Sequence, residues 1–135
     1  MPSFTNFELI SKAAELIHPH RDGDHLMGDV GCALVSEKGD LYLGVCLDIG
    51  TGSYCAEPNA IGSMVTAGEY RIQKIVAVWK DEHGALYVIP PCGHCRQYML
   101  QVHPANIETE VLLGRDKVVK LAELLPYHDL WQKIE

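Results

Sequence analysis

Two short clusters in this sequence pair residues able to bind a metal with a residue able to move a proton. The first is Cys55-Ala56-Glu57, and the second is Pro91-Cys92-Gly93-His94-Cys95-Arg96-Gln97. Cys92 and Cys95 are three apart, so in the first turn of a helix both sulfurs share one face. A helix start also carries unpaired N–H groups and a partial positive charge, which favour thiolate over thiol. Zinc takes thiolate ligands readily. Cys55 precedes a second helix start, so the same reasoning applies to it. Three protein ligands leave a tetrahedral ion one open position, which is the pattern of a catalytic site, whereas a structural site closes with four. Glu57 is not needed as a ligand. A carboxylate beside activated water can take its proton and return it to a leaving group.

Plainer readings exist for each residue. Cys92 and Cys95 alone are half a zinc ribbon or a redox pair. The three cysteines can be buried thiols, or Cys46 can close the site as a fourth ligand. Glu57 alone reads as a solvated acid favoured by the helix dipole. Cys32 lies in an apolar strand and reads as core. His94 points elsewhere on its helix than the cysteines and reads as a solvent or interface residue. The six remaining histidines have no ligand spacing.

The elements that must position these residues are legible from periodicity. Residues 5–17 read as a helix, with Thr5 and Glu8 at capping-box spacing and Pro19 beyond its end. Residues 29–36 and 41–45 read as a hairpin about the turn 37–40, followed by a loop at 50–53. Residues 56–68 read as a helix with Pro58 in its first turn. Residues 72–79 form a strand, and its continuous run Ile75-Val76-Ala77-Val78 suggests burial on both faces. A short extended segment follows at 85–89. A second inner helix spans 92–102, with Pro91 at its start and Pro104 beyond it. Residues 109–113 form another strand, 118–119 a short one, and 122–125 a helical turn. Helices alternating with buried strands suggest an α/β fold, a mixed sheet with helices on both faces.

The totals are those of one globular domain covering residues 1–135. The net charge of −7, with 11 basic residues against 18 acidic, disfavours nucleic acid and anionic membrane as partners. The first residues have no basic segment followed by an apolar run, so they do not read as a signal peptide. No apolar stretch approaches the roughly 20 residues of a membrane span. Five cysteines without an export signal argue against a disulfide framework and for the cytoplasm.

C-x-E joined to a distant P-C-x-x-C is the arrangement of the zinc deaminases, with His or Cys as the first ligand. Other stretches follow in the same order, namely Val30-Gly31-Cys32-Ala33-Leu34, Leu43-Gly44-Val45, Ile75-Val76-Ala77-Val78 and Leu124-Leu125-Pro126. On these residues the chain resembles the small, homotetrameric cytidine deaminase family, and within it the blasticidin-S deaminase-like members. The resemblance implies a three-layer α/β/α fold with a mixed central sheet. It implies zinc on Cys55, Cys92 and Cys95. It implies hydrolytic release of ammonia from an amino-pyrimidine compound such as cytidine, deoxycytidine or blasticidin S. Glu57 would shuttle the proton, and the Ala56 N–H would hold the ring carbonyl. Pockets in the family are completed by neighbouring subunits, and a tail aromatic lies near a pocket. Trp131 is the corresponding candidate, with simple packing of the terminus as its plainer reading. Tyr54, beside the first ligand, either flanks the pocket or packs.

The sequence departs from the family at two places. Ordinary cytidine deaminases bind the ribose hydroxyls with an Asn and a Glu two apart after the second strand's glycine. Here those positions are Cys46 and Asp48. A thiol cannot reproduce the amide's hydrogen bonds, while Asp48 can still accept from a hydroxyl. The blasticidin-S type keeps the Asn but not the Glu, so this chain fits neither sugar-binding pattern. Three thiolates and one Zn²⁺ also sum to −1, and many bacterial relatives offset this with an Arg after C-A-E. Here that residue is Pro58. Arg96 and the two helix starts are the candidates to compensate. Two other functions compete with deamination of a small molecule: a polynucleotide deaminase that flips a base, and a zinc-stabilised, non-catalytic ligand-binding module.

Overall fold

The computed structural model describes residues 4–135. Helix α1, Asn6–Glu15, starts at the capping box read from the sequence. Thr5 Oγ1 accepts from the Glu8 N–H, and the Glu8 carboxylate accepts from the Thr5 N–H. Four strands follow, β1 (His20–Asp22), β2 (His25–Ser36), β3 (Leu41–Ile49) and β4 (Gly52–Tyr54). Then come α2 (Ala56–Thr66), β5 (Ile72–Lys80), β6 (Leu86–Ile89) and α3 (Gly93–Val102). A 3₁₀ turn at Pro104–Glu108 leads to β7 (Glu110–Leu112), β8 (Val118–Lys120) and α4 (Leu121–Leu124).

The strands form one mixed sheet in the order β4-β3-β2-β5-β7-β8, with β1 added to β2 and β6 to β5. Only β5 and β7 pair in parallel, through the α3 crossover. The inner strands alternate their faces in the expected way. Cys32, Leu34 and Ile75 join one core with α2 and α3, while Ala33, Val35, Val76 and Val78 join a second core with α1. The continuous apolar run in β5 is thus buried on both faces, and the architecture is three-layered, α/β/α. Two glycines set how closely the layers approach. A Cβ at Gly44 would lie 2.4 Å from Ala60 N and 2.8 Å from Ala56 O, and one at Gly31 would lie 2.2 Å from Ala13 O. The backbones of α2 and α1 therefore rest directly on β3 and β2.

The strands differ from expectation at the sheet end nearest the cysteines. Strand β2 begins at His25 rather than Asp29, β3 runs on to Ile49, and β4 occupies the expected loop. Their added residues mix apolar and polar side chains without regular alternation, and most are only partly buried or exposed, so no strand pattern marks them. Cross-strand pairing alone holds them: Met27 opposite Leu47, Leu26 opposite Asp48, and Asp48 opposite Ser53.

Asn106, in the 3₁₀ turn, fastens α3 to the sheet. It is 1% exposed. Its amide donates to the Tyr70 and Met99 carbonyls at 3.0 and 2.9 Å, and its oxygen accepts from the Ile72 N–H at 2.8 Å. Truncation would leave the buried Met99 carbonyl and Ile72 N–H without partners and release the part-buried Tyr70 carbonyl. Asn106→Ala is expected to lower the unfolding free energy by roughly 2–4 kcal/mol, read as a fall in the urea midpoint at unchanged slope.

Candidate metal centre and active site

Cys55 and Cys92 occupy the same local position on different helices. Each is an N-cap in extended conformation, Cys55 (φ −67°, ψ 160°) before α2 and Cys92 (φ −68°, ψ 169°) before α3. The two helix starts converge, so the sulfurs meet. Cys55 and Cys92 Sγ are 3.7 Å apart, Cys92 and Cys95 Sγ are 3.3 Å apart, and all three lie within 4.8 Å of one another. Sulfurs around a tetrahedral ion with bonds of about 2.3 Å are about 3.8 Å apart, so the cluster fits zinc with little adjustment. Cys92 Sγ also accepts from the Cys95 N–H at 3.4 Å, which makes it a cap as well as a ligand.

The chemistry of the donor set points the same way. Burial raises the Cys55 thiol, and it raises Cys95 far more, with the Glu57 carboxyl adding to both. At Cys92 burial also acts upward, but the Cys95 N–H and the neighbouring thiols outweigh it and the net shift is downward. Glu57 is 5% exposed, and burial raises its carboxyl above the ordinary range. Three sulfurs and a carboxyl packed this closely repel when ionised, and a divalent cation removes that repulsion.

The remaining sequence-predicted residues fall around this centre in different ways. Ala56 is fully buried in the first turn of α2, where its N–H has no intrahelical acceptor. Cys46 does not close the metal site. Its thiol, raised first by burial and then by Asp29, donates to Asp29 Oδ1 at 2.9 Å. Among the described residues, the metal-binding group consists of Cys55, Cys92 and Cys95. Asp48 accepts from Ser53 Oγ at 2.8 Å on an exposed rim. Tyr54 is half-exposed, its hydroxyl donating to the Thr51 carbonyl at 3.4 Å. Arg96 reaches backbone rather than sulfur. Its Nε donates to the Pro91 carbonyl at 2.8 Å and its Nη1 to the Leu124 carbonyl at 3.3 Å, tying the approach to Cys92 to the C-terminal segment. Trp131 is 90% exposed on the single chain, in a tail without regular structure. His94 is exposed beside Tyr98, as expected, and Cys32 is wholly buried core.

Two residues near the site were not singled out from the sequence. Asp29 and Trp79 read only as strand residues. The structure joins them, Trp79 Nε1 donating to Asp29 Oδ2 at 3.3 Å. The available signal was the hairpin itself, which brings residue 29 towards residue 46.

An α/β/α sandwich with three converging thiols and one buried carboxyl has the makings of a hydrolytic zinc site. Comparison with known proteins agrees. The cytidine and deoxycytidylate deaminase zinc-binding region matches residues 6–110. A blasticidin-S deaminase of Bacillus cereus is 31% identical over 128 residues, covering 90% of this chain and 89% of that protein. A cytidine deaminase of Halalkalibacterium halodurans is 32% identical over 103 residues, covering 72% of this chain and 74% of that protein. The crystal structure of a cytidine deaminase from Burkholderia pseudomallei superposes with a TM-score of 0.70 at 27% identity, covering 91% of this chain and 98% of that one. The chain belongs to the cytidine and deoxycytidylate deaminase family of zinc-dependent enzymes.

Zinc content separates ligands from neighbours. Cys55→Ala and Cys92→Ala are expected to lose most bound zinc, whereas Cys46→Ala keeps one ion per chain by elemental analysis. Because the ion binds the folded state, chelation of the wild type is expected to lower its melting temperature.

Proposed function

We propose that this chain catalyses hydrolytic deamination of a small amino-pyrimidine compound, releasing ammonia. The observation that carries the reading is the buried Glu57 carboxyl beside the three-thiol cluster. When held by Cys55, Cys92 and Cys95, zinc supplies Lewis acidity to a water molecule. Glu57 would take a proton from that water and deliver it to the ring nitrogen as the water oxygen adds to the carbon bearing the amino group. It would then take the remaining hydroxyl proton and pass it to the amine, so that the C–N bond breaks, ammonia leaves and a ring carbonyl forms. Burial suits it to this work, because it raises the carboxyl above its ordinary range and so strengthens it as a proton acceptor. The Ala56 N–H, at the start of α2, orients the ring carbonyl. Arg96 holds the segment before Cys92 in place, and its charge with the two helix starts offsets the thiolates.

Cys46, Asp48, Tyr54 and Trp131 are assigned to the substituent side of the substrate. Candidate substrates are cytidine, deoxycytidine and cytosine-containing compounds such as blasticidin S, named for the relatives above. The net charge of −7 favours a free small molecule over a polynucleotide. No described helix is long and apolar enough to cross a membrane, and we assign the enzyme to the cytoplasm. We also assign it a homotetrameric state. Support comes from the exposed apolar tail, where Leu130, Trp131 and Ile134 stand 71%, 90% and 97% exposed on the single chain. A zinc-stabilised ligand-binding module of the same fold is the second reading. The buried carboxyl speaks against it, since a binding module has no use for one beside the metal.

Following ultraviolet absorbance with cytidine, deoxycytidine, cytosine and blasticidin S tests the reading. Glu57→Ala is expected to retain zinc and lose roughly 10²- to 10⁴-fold in turnover. A Glu57→Ala protein with undiminished function would instead establish the binding module. Size-exclusion chromatography is expected to give a tetramer, and a fully active monomer would contradict that assembly.

A further inference from the structure

One cleft lies outside the metal centre and holds polar groups to which no role has been assigned. It has a volume of about 440 Å³, and its lining includes Arg21, Leu26, Asp29, Trp79, Lys80 and Glu82. Its position follows from strand direction. Tyr42 of β3 bonds to Glu69 beyond the C-terminal end of α2, while Gly44 lies against Ala56, Asn59 and Ala60. Strand β3 and helix α2 therefore run antiparallel. Cys46, two residues past Gly44 and on the same face, lies towards the start of α2, where Cys55 and Glu57 are. The Cys46 thiol is bonded to Asp29, so Asp29 joins the sheet end that bears the active site to the cleft.

The two oxygens of Asp29 each take one donor, Cys46 Sγ at 2.9 Å and Trp79 Nε1 at 3.3 Å. Trp79 is in turn stacked on Tyr87, with ring centroids 5.5 Å apart. Each carboxylate oxygen can still accept a further hydrogen bond. The other charged groups of the cleft are arranged differently. Asp81 is turned to the His83 and Ala85 N–H groups, Glu82 and His83 face each other on the exposed rim, Lys80 is exposed at the end of β5, and Arg21 is exposed in β1.

We propose that Asp29 is a specificity-determining residue, accepting hydrogen bonds from hydroxyl or amine donors on the substituent of the pyrimidine. It supplies from β2 the polar recognition that Cys46 cannot supply from β3. This rests on the deaminase reading above and names what that site selects.

The test compares wild type, Asp29→Ala and Trp79→Phe, with whichever of cytidine and blasticidin S the wild type deaminates. 1-Methylcytosine, whose substituent has no donor, serves as a competitive inhibitor. Asp29→Ala is expected to raise KM about 10- to 100-fold, leave kcat within about threefold, and leave the inhibition constant of 1-methylcytosine within about twofold. Trp79→Phe keeps the aromatic packing and removes one donor to Asp29, and it is expected to shift KM the same way by a smaller factor. Equal losses for substrate and inhibitor, or a fall in kcat alone, would show a merely structural role and overturn the proposal. So would unchanged kinetics in a folded, zinc-loaded Asp29→Ala protein. A wild type that holds zinc yet deaminates none of cytidine, deoxycytidine, cytosine and blasticidin S would overturn the deaminase reading, and the subsite with it.

Discussion

The site depends on two helix starts being brought to one point. Cys55 and Cys92 are N-caps of α2 and α3, and neither helix alone could gather three sulfurs within 4.8 Å. Each helix is held by features other than the sulfurs. Helix α2 is seated by Gly44, where any side chain would meet its backbone. Helix α3 is fixed by Asn106 at its far end and by Arg96 at its near end, which spans the Pro91 and Leu124 carbonyls. A shift of about an ångström in either helix would spoil a geometry that a tetrahedral ion tolerates poorly.

The electrostatics make sense only with a cation. A buried carboxyl and buried thiols are each unfavourable when ionised. Here they are packed together at the end of the sheet, opposite to what stability alone would select. The converging helix starts offset part of the negative charge, and zinc offsets the rest. The same sheet end carries the Cys46–Asp29–Trp79 chain.

The metal centre was legible because its geometry is local. C-x-x-C and C-x-E fix side-chain direction within one helical turn, and proline marks both helix starts. The apolar run in β5 was legible for a similar reason, since burial on both faces leaves no polar positions. The extended ends of β2 and β3 were not, because residues 25–28 and 46–49 show no regular alternation of apolar and polar positions, and pairing across strands decides their conformation. Asp29 and Trp79 read only as strand residues. They are 50 residues apart, and only the sheet order brings them together. Cys46 was ambiguous from sequence, and a single hydrogen bond to Asp29 distinguishes it from a fourth ligand. Trp131 had no periodic context from which its exposure could be read.

X-ray absorption at the zinc edge of the purified protein tests the central claim most directly. Three sulfur scatterers at about 2.3 Å and one lighter scatterer at about 2.0 Å are expected, which is an open centre built from Cys55, Cys92 and Cys95. Four sulfurs, unchanged in wild type but reduced to three in Cys46→Ala, would mean a closed structural site and would contradict the account.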